Sequence, residues 1–198
     1  MNLTPFEAAT QATLTAGVDE AGRGPLAGPV VVAAVILPVE YDLKFLDDSK
    51  RLTALKRERL LPQIEAQAIA FAVEFVTPEE IDRVNILQAT MNGMQRAVEK
   101  LSPTPARAMI DGNRAPELSC EVTTVIGGDG LIPSISAASV LAKVYRDRLM
   151  LQLHEKYPDY GFDRHKGYPT AHHLERLKAL GPCAIHRHSF APVRNALL

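Results

Sequence analysis

Four places in the chain set carboxylates beside glycines or at the ends of apolar runs. Asp19 and Glu20 close "TLTAGVDE" and lead into "AGRGPLAG". Asp111 ends the strand-like part of "AMIDGN", Asp129 lies in "IGGDG", and Asp47 and Asp48 lie in "FLDDSK". A carboxylate at a strand end next to a glycine can reach solvent and a ligand. Clustered carboxylates repel one another unless a cation neutralises them, and hard oxygen ligands select Mg²⁺ or Mn²⁺ over zinc. Two such ions, about 3.5–4 Å apart, can activate a water and stabilise the leaving oxygen of a phosphodiester. Taken singly, each acid reads as an ordinary turn residue, because Asp-Gly and Gly-Asp are common turn pairs. Adjacent Asp19 and Glu20 face opposite sides of a regular strand, so they share a site only where the strand ends or bulges.

The glycines after Glu20 admit a second chemistry. Gly22, Gly24 and Gly28 form G-x-G-x-x-x-G, one residue off the dinucleotide-binding fingerprint. That fingerprint needs a helix after the glycines, whose N-terminus holds the pyrophosphate. Here "PVVVAAVIL" follows, which is strand-like, and two carboxylates would sit beside the phosphates. A nucleotide-cofactor enzyme using the Gly22–Gly28 loop is therefore the weaker reading. His172–His173 and His186-x-His188 invite a zinc site, but neither cysteine nor acid completes a tetrahedral set at a usual spacing. They read as surface or helix-end histidines.

Composition narrows the class. The chain has 198 residues, enough for one domain with a full core. No apolar run reaches the roughly 18 residues of a membrane helix, so no membrane partner is expected. The N-terminal stretch lacks a basic region followed by an apolar core, and Cys120 and Cys183 have no metal-ligand spacing. A cytoplasmic location is the expectation. Net charge is −1, but residues 1–140 hold 12 Lys/Arg against 18 Asp/Glu, whereas residues 141–198 hold 10 against 5 and all six histidines. Such a split fits a nucleic-acid surface next to a carboxylate site, or solvated faces that differ by chance.

Elements must position these residues. "TLTAGVDE", "PVVVAAVIL", "AIAFAVEFV", "ARAMID" and "EVTTVI" read as strands from their alternation and β-branched content. "LTALKRERLLPQIEAQA" has helical spacing, and Pro62 inside it predicts a kink or split. "TPEEID" opens a helix with Thr77 as N-cap and Pro78 at the first position, and "ILQATMNGMQRAVEKL" continues as helix. "IPSISAASVLAKVYRDRLMLQLHEKY" is a long helix after a glycine-rich turn, and "TAHHLERLKALG" is a last helix with Gly181 as its C-cap. The order predicts a mixed α/β sheet with an antiparallel hairpin at its start.

Several long strings in one order resemble the type 2 ribonuclease H (ribonuclease HII) family: "AGVDEAGRGPLAGPVVVAAVIL", "DDSKRL", "NILQATMNGMQRAV", "IDGN", "GGD", "ISAASVLAKVYRD", "YGFDRHKGYPTAHH" and "HRHSFAPV". They span nearly the whole chain, and D-E-x-G-R-G with the later S-A-A-S-x-x-A-K-x-x-R-D and H-K-G-Y is highly specific. The resemblance implies a ribonuclease H-like fold: a mixed central sheet flanked by helices, in a single domain over residues 1–198. Residues about 158–198 would form a helical, substrate-binding C-terminal extension. It implies an endonuclease that cuts the RNA strand of RNA–DNA hybrids, and cuts 5′ to a single ribonucleotide embedded in duplex DNA. The products would carry 3′-hydroxyl and 5′-phosphate ends.

By the same resemblance Asp19, Glu20, Asp111 and Asp129 would hold two Mg²⁺ or Mn²⁺ ions. Gly22, Arg23 and Gly24 would read the ribose 2′-hydroxyl, mostly through backbone groups, and Tyr168 would pack on the next sugar. Lys50 would contact a phosphate; Ser139, Lys143 and Arg146 would share one helix face toward the substrate; His165 and Lys166 would contact it through backbone. On helical spacing alone, Lys143 and Arg146 read equally as surface residues paired with Asp147 or Glu155. The pattern departs from many bacterial members at Gly128, where they carry lysine. "VRNALL" shows no clear sliding-clamp motif, and a monomer is expected. A nucleic-acid-binding module without catalysis is the alternative, resting on the basic C-terminal part.

Overall fold

The apolar run Val30–Ile36 forms strand β2, and all seven of its residues are buried. A strand without a polar face must be covered on both sides, and the rest of the fold does this. The computed structural model describes residues 14–44, 46 and 52–197. Strand β1 (Thr15–Ala21) pairs antiparallel with β2, with Ala21 opposite Val31. Strand β3 (Ala70–Val76) adds antiparallel to the other edge of β2. Strand β4 (Arg107–Asp111) lies parallel to β1, and β5 (Glu121–Val125) parallel to β4. The order is β3-β2-β1-β4-β5, a mixed five-stranded sheet opening on a hairpin, as the alternation predicts.

Side-chain alternation assigns the two faces. On one, Ala16 and Val18 of β1 join Val30, Val32 and Ala34 of β2 against Ile81 of helix α2 (Pro78–Val84) and Met94 and Ala97 of α3 (Ile86–Glu99). On the other, Ala33 and Val35 meet Leu60 and Ile64 of α1 (Ala54–Gln67) and Ala137, Ala138 and Leu141 of α4 (Pro133–Lys156). The chain then turns through α5 (Phe162–His165), α6 (Ala171–Leu180) and α7 (Ala191–Asn195), the helical C-terminal part.

Two local expectations change. Pro62 does not split α1, which runs unbroken from Ala54 to Gln67. Pro62 is exposed, so the hydrogen bond it removes falls on the solvent side. The helix predicted to continue from "TPEEID" instead breaks at Asn85, whose φ is 71°. The Asn85 side chain accepts from Gln88 N–H at 3.0 Å and so starts α3. Thr77 caps α2 by accepting from Glu80 N–H at 3.3 Å, and Gly181 ends α6 at φ 71°, both as read from sequence. Asp47, Asp48 and Lys50 lie outside the described residues.

Backbone meets backbone where β1 packs against α4. A methyl group on Gly17 would lie 2.2 Å from the Ser134 carbonyl carbon and 2.3 Å from the Ile135 nitrogen. These are backbone atoms and cannot swing aside. Gly17→Ala should therefore destabilise the protein by at least about 1–3 kcal/mol, the usual cost of overpacking. Chemical denaturation measures this; an unchanged midpoint would show that β1 and α4 separate easily.

Candidate active site

The strand register brings the acids together. Val18 pairs with Ile110 in parallel, so the next residues, Asp19 and Asp111, stand at neighbouring positions on the two strands. Asp129 arrives from a 3₁₀ turn, Gly128–Gly130, just beyond β5. Gly128 N–H donates to Asp111 Oδ1 at 2.7 Å, which ties this turn to the end of β4. Gly128 itself is packed: a methyl group there would meet Ile135 Cδ1 at 2.6 Å. Ser136 Oγ donates to the Asp129 carbonyl at 2.5 Å and fixes the turn to α4.

Asp19, Asp111 and Asp129 each offer an oxygen within 4.8 Å of the others, the one cluster of this kind among the described residues. Asp19 and Asp129 are only 4 % and 5 % exposed. Burial holds the Asp19 carboxyl well above its usual pKa, and the charges of Glu20 and Asp111 push it further; a hydrogen bond from Ser139 acts the other way. Hard oxygens, crowded and desolvated, are a donor set that fits a divalent cation. Glu20 does not join the three-carboxylate cluster. Glu20 follows Asp19 on β1 and lines the adjoining cleft, where it meets Arg23 Nη1 at 3.4 Å.

A cleft of about 470 Å³ adjoins the acids, lined by Glu20, the Gly22–Gly24 turn, Ser139, Lys143 and Tyr168. Tyr168 is 41 % exposed, and its Cε1 would stand 3.6 Å from a methyl group on Gly24. The turn and the tyrosine are thus opposite walls of one slot. Lys143 borders it while its Nζ donates to Asp147 Oδ1 at 2.8 Å, the pairing that helical spacing allowed. His165 and Lys166 are not among the cleft-lining residues. His165 Nε2 donates to the Tyr160 carbonyl at 2.8 Å and its Nδ1 accepts from Gly167 N–H at 3.2 Å; Lys166 Nζ donates to the Asp163 carbonyl.

Arg146 corrects the expectation of a helix face open to substrate, because it is fully buried under the turn. Its Nε donates to the Pro29 carbonyl at 3.0 Å, and its Nη2 to the carbonyls of Lys166 at 3.0 Å and Ala27 at 3.3 Å. The space for it exists because position 22 is glycine, at φ 97°: a methyl group there would overlap Arg146 Nε at 2.0 Å. Beside it lies Arg187, also fully buried and not singled out by the sequence reading. Its guanidinium donates to the carbonyls of Gly22, Arg23 and Gly28. Burial lowers the two guanidinium pKa values to about 10 for Arg146 and about 9 for Arg187, so both remain charged at neutral pH.

His173 and His186 are a second correction: they are buried, not surface residues. His173 Nδ1 lies 2.9 Å from the Tyr168 carbonyl, which can only accept, so Nδ1 carries the proton. Its Nε2 then accepts from His186 Nε2–H at 3.1 Å, and His186 Nδ1 accepts from Cys183 N–H at 3.0 Å. Burial lowers both imidazole pKa values to about 4.

A mixed sheet that gathers three carboxylates beside a glycine turn defines the class, a nuclease-type acidic centre on a ribonuclease H-like fold. The sequence profile of ribonuclease HII matches residues 16–193. Ribonuclease HII of Burkholderia mallei (strain SAVP1) is 58 % identical over 183 residues, covering 92 % of this chain and 86 % of that protein. The crystal structure of ribonuclease H2 from Pyrococcus horikoshii OT3 superposes with a TM-score of 0.79 at 28 % identity, covering 92 % of this chain and 96 % of that one. The ribonuclease HII of the Archaeoglobus fulgidus PCNA:RNase HII complex matches with a TM-score of 0.75 at 28 % identity, covering 93 % and 97 %. This chain belongs to the ribonuclease HII family, and is a nuclease of the hydrolase class.

The raised Asp19 pKa makes a signed prediction. The folded state binds this proton more tightly than the unfolded chain, whose Asp titrates near ~3.9. The stability that Asp19 contributes is full below the unfolded pKa and is lost as pH rises through the folded one. Metal-free Asp19→Asn should therefore be more stable than the parent at pH 7, with the advantage shrinking toward acid. Urea denaturation in chelator at neutral and acid pH measures it; a variant no more stable at pH 7 would contradict the burial argument.

Proposed function

We propose that this protein is a divalent-metal-dependent endonuclease that cuts the RNA strand of RNA–DNA hybrids and also cuts duplex DNA 5′ to a single ribonucleotide, leaving 3′-hydroxyl and 5′-phosphate ends. Family membership implies the first activity. The observation that carries the fuller reading is the slot: three convergent carboxylates next to a cleft walled by Gly22–Gly24 and Tyr168.

Asp19, Asp111 and Asp129 would hold Mg²⁺ or Mn²⁺, two ions in this reading, with Glu20 beside them. Bound there, the ions supply water activation and charge neutralisation at the leaving oxygen. The chain's own groups position the strand. Gly24 lets backbone approach a sugar closely, since it has no side chain to intervene. The 2′-hydroxyl is the group that separates RNA from DNA, and the N–H groups of the turn are donors for it. The Tyr168 ring faces that turn and offers a flat surface to the sugar that follows. Lys143 and Arg23 place positive charge at the cleft for the backbone phosphates. The substrate is thus an RNA–DNA hybrid or a ribonucleotide-containing duplex, bound by a monomer in the cytoplasm.

A duplex DNA with one ribonucleotide, incubated with Mg²⁺ or Mn²⁺, should be cut on the 5′ side of that nucleotide. Intact substrate under every divalent metal would falsify the reading. Asp111→Asn should lower turnover by more than the roughly 10–100-fold typical of outer-shell changes while substrate binding persists; full turnover would support the non-catalytic alternative. Tyr168→Ala should lose about fivefold or more on the single-ribonucleotide duplex, equivalent to ~1 kcal/mol, and less on a long hybrid. Equal losses on both would remove Tyr168 from junction recognition.

A further inference from the structure

The contacts of Arg187 with the turn Gly22–Gly28 carry a consequence for recognition. Its Nη2 donates to the Gly22 carbonyl at 2.6 Å and to the Gly28 carbonyl at 2.8 Å. Its Nη1 donates to the Arg23 carbonyl at 2.9 Å, and its Nε to the Gly28 carbonyl at 3.0 Å. In a planar trans peptide the C=O of one residue and the N–H of the next point in opposite directions. With the Gly22 and Arg23 carbonyls turned inward to one guanidinium, the N–H groups of Arg23 and Gly24 turn outward. Both residues are exposed and line the cleft. Neither N–H meets an acceptor among the described residues.

We propose that Arg187 is a positioning residue for substrate recognition: it fixes the Gly22–Gly24 turn so that the Arg23 and Gly24 amides stand as a pre-aimed pair of donors in the cleft. The proposal rests on the reading above that this turn contacts a ribonucleotide. Arg187 touches no substrate itself; it acts through the peptide planes it holds. A planar fork with five N–H groups can hold three carbonyls at once, whereas a lysine offers a single point of charge. Arg146 bonds to carbonyls on the outgoing side of the loop, Ala27 and Pro29, and leaves the Gly22 and Arg23 carbonyls to Arg187. The segment bearing Arg187 is itself pinned. Asp82 on α2 accepts from His188 N–H at 2.8 Å and from Ser189 N–H at 2.9 Å, and Phe190 lies under the guanidinium, 5.3 Å from its carbon.

Backbone NMR tests this in three measurements. In the unmodified protein, the Arg23 and Gly24 amides should be as rigid as the sheet, with order parameters near ~0.85, yet exchange freely with solvent; values below ~0.6 would overturn the proposal without any variant having to fold. In Arg187→Lys, which keeps the charge, those two order parameters should fall while those of β1 hold. The same variant should lose at least about tenfold in kcat/KM on a single-ribonucleotide duplex, less than the ~10²–10³ of outright loss of an oriented donor. A folded Arg187→Lys with both values unchanged overturns the positioning role. The third measurement separates this from the parent reading. With Asp111→Asn protein, the Arg23 and Gly24 amide signals should shift more with a ribonucleotide-bearing duplex than with all-DNA duplex. Equal shifts would refute ribonucleotide reading by the turn, whatever the first two measurements say of Arg187.

Discussion

The backbone of β1 touches the first turn of α4 at Gly17, and the site is built outward from that contact. With no side chain at position 17, the strand lies flat on the helix. Two residues further on the same face, Asp19 comes within hydrogen-bonding reach of Ser139. The helix start is in turn fixed to the Asp129 turn through Ser136. Any residue that lifted β1 from α4 would move Asp19 away from Asp111 and Asp129.

The site keeps buried charge of both signs apart. Three carboxylates crowd where β1 and β4 end; two guanidinium groups lie beneath the following turn. Among the described residues no carboxylate lies within ion-pair distance of either guanidinium. Burial raises the Asp19 pKa and lowers those of Arg146 and Arg187. Burying a charge without a partner of opposite sign costs stability. The carboxylates call for cations. The arginines are hydrogen-bonded to carbonyls alone.

Sequence carried the parts that are local or periodic. The hairpin followed from alternation in "TLTAGVDE" and "PVVVAAVIL", and Asp19, Asp111 and Asp129 from acids at strand ends. Family resemblance added Tyr168 and the glycine turn, which the fold sets face to face. The misses are non-local. Arg187 bonds to carbonyls 159 to 165 residues away, and nothing in its neighbourhood marks it out. Arg146 looked like a surface partner by helical spacing, but the glycine at position 22 opens the space that swallows it. His173 and His186 have no helical or strand period linking them, so their pairing emerges only when α6 and the C-terminal segment meet. Glu20, expected among the four acids, lies outside the three-carboxylate cluster and lines the cleft beside it.

The dependence of the glycine turn on Arg187 also orders events as the chain is made. Synthesis runs from the N-terminus, and domains consolidate as their parts emerge. By the time α4 is complete, every acid of the cluster and the whole sheet are available, but the carbonyls of Gly22 and Arg23 still lack their partner. The turn sets only when the last segment has left the ribosome and docked against Asp82. A chain stopped short of residue 187 would carry the clustered acids but lack the guanidinium that the Gly22 and Arg23 carbonyls meet. The polypeptide must therefore be made through residue 187 before the two carbonyls find their partner.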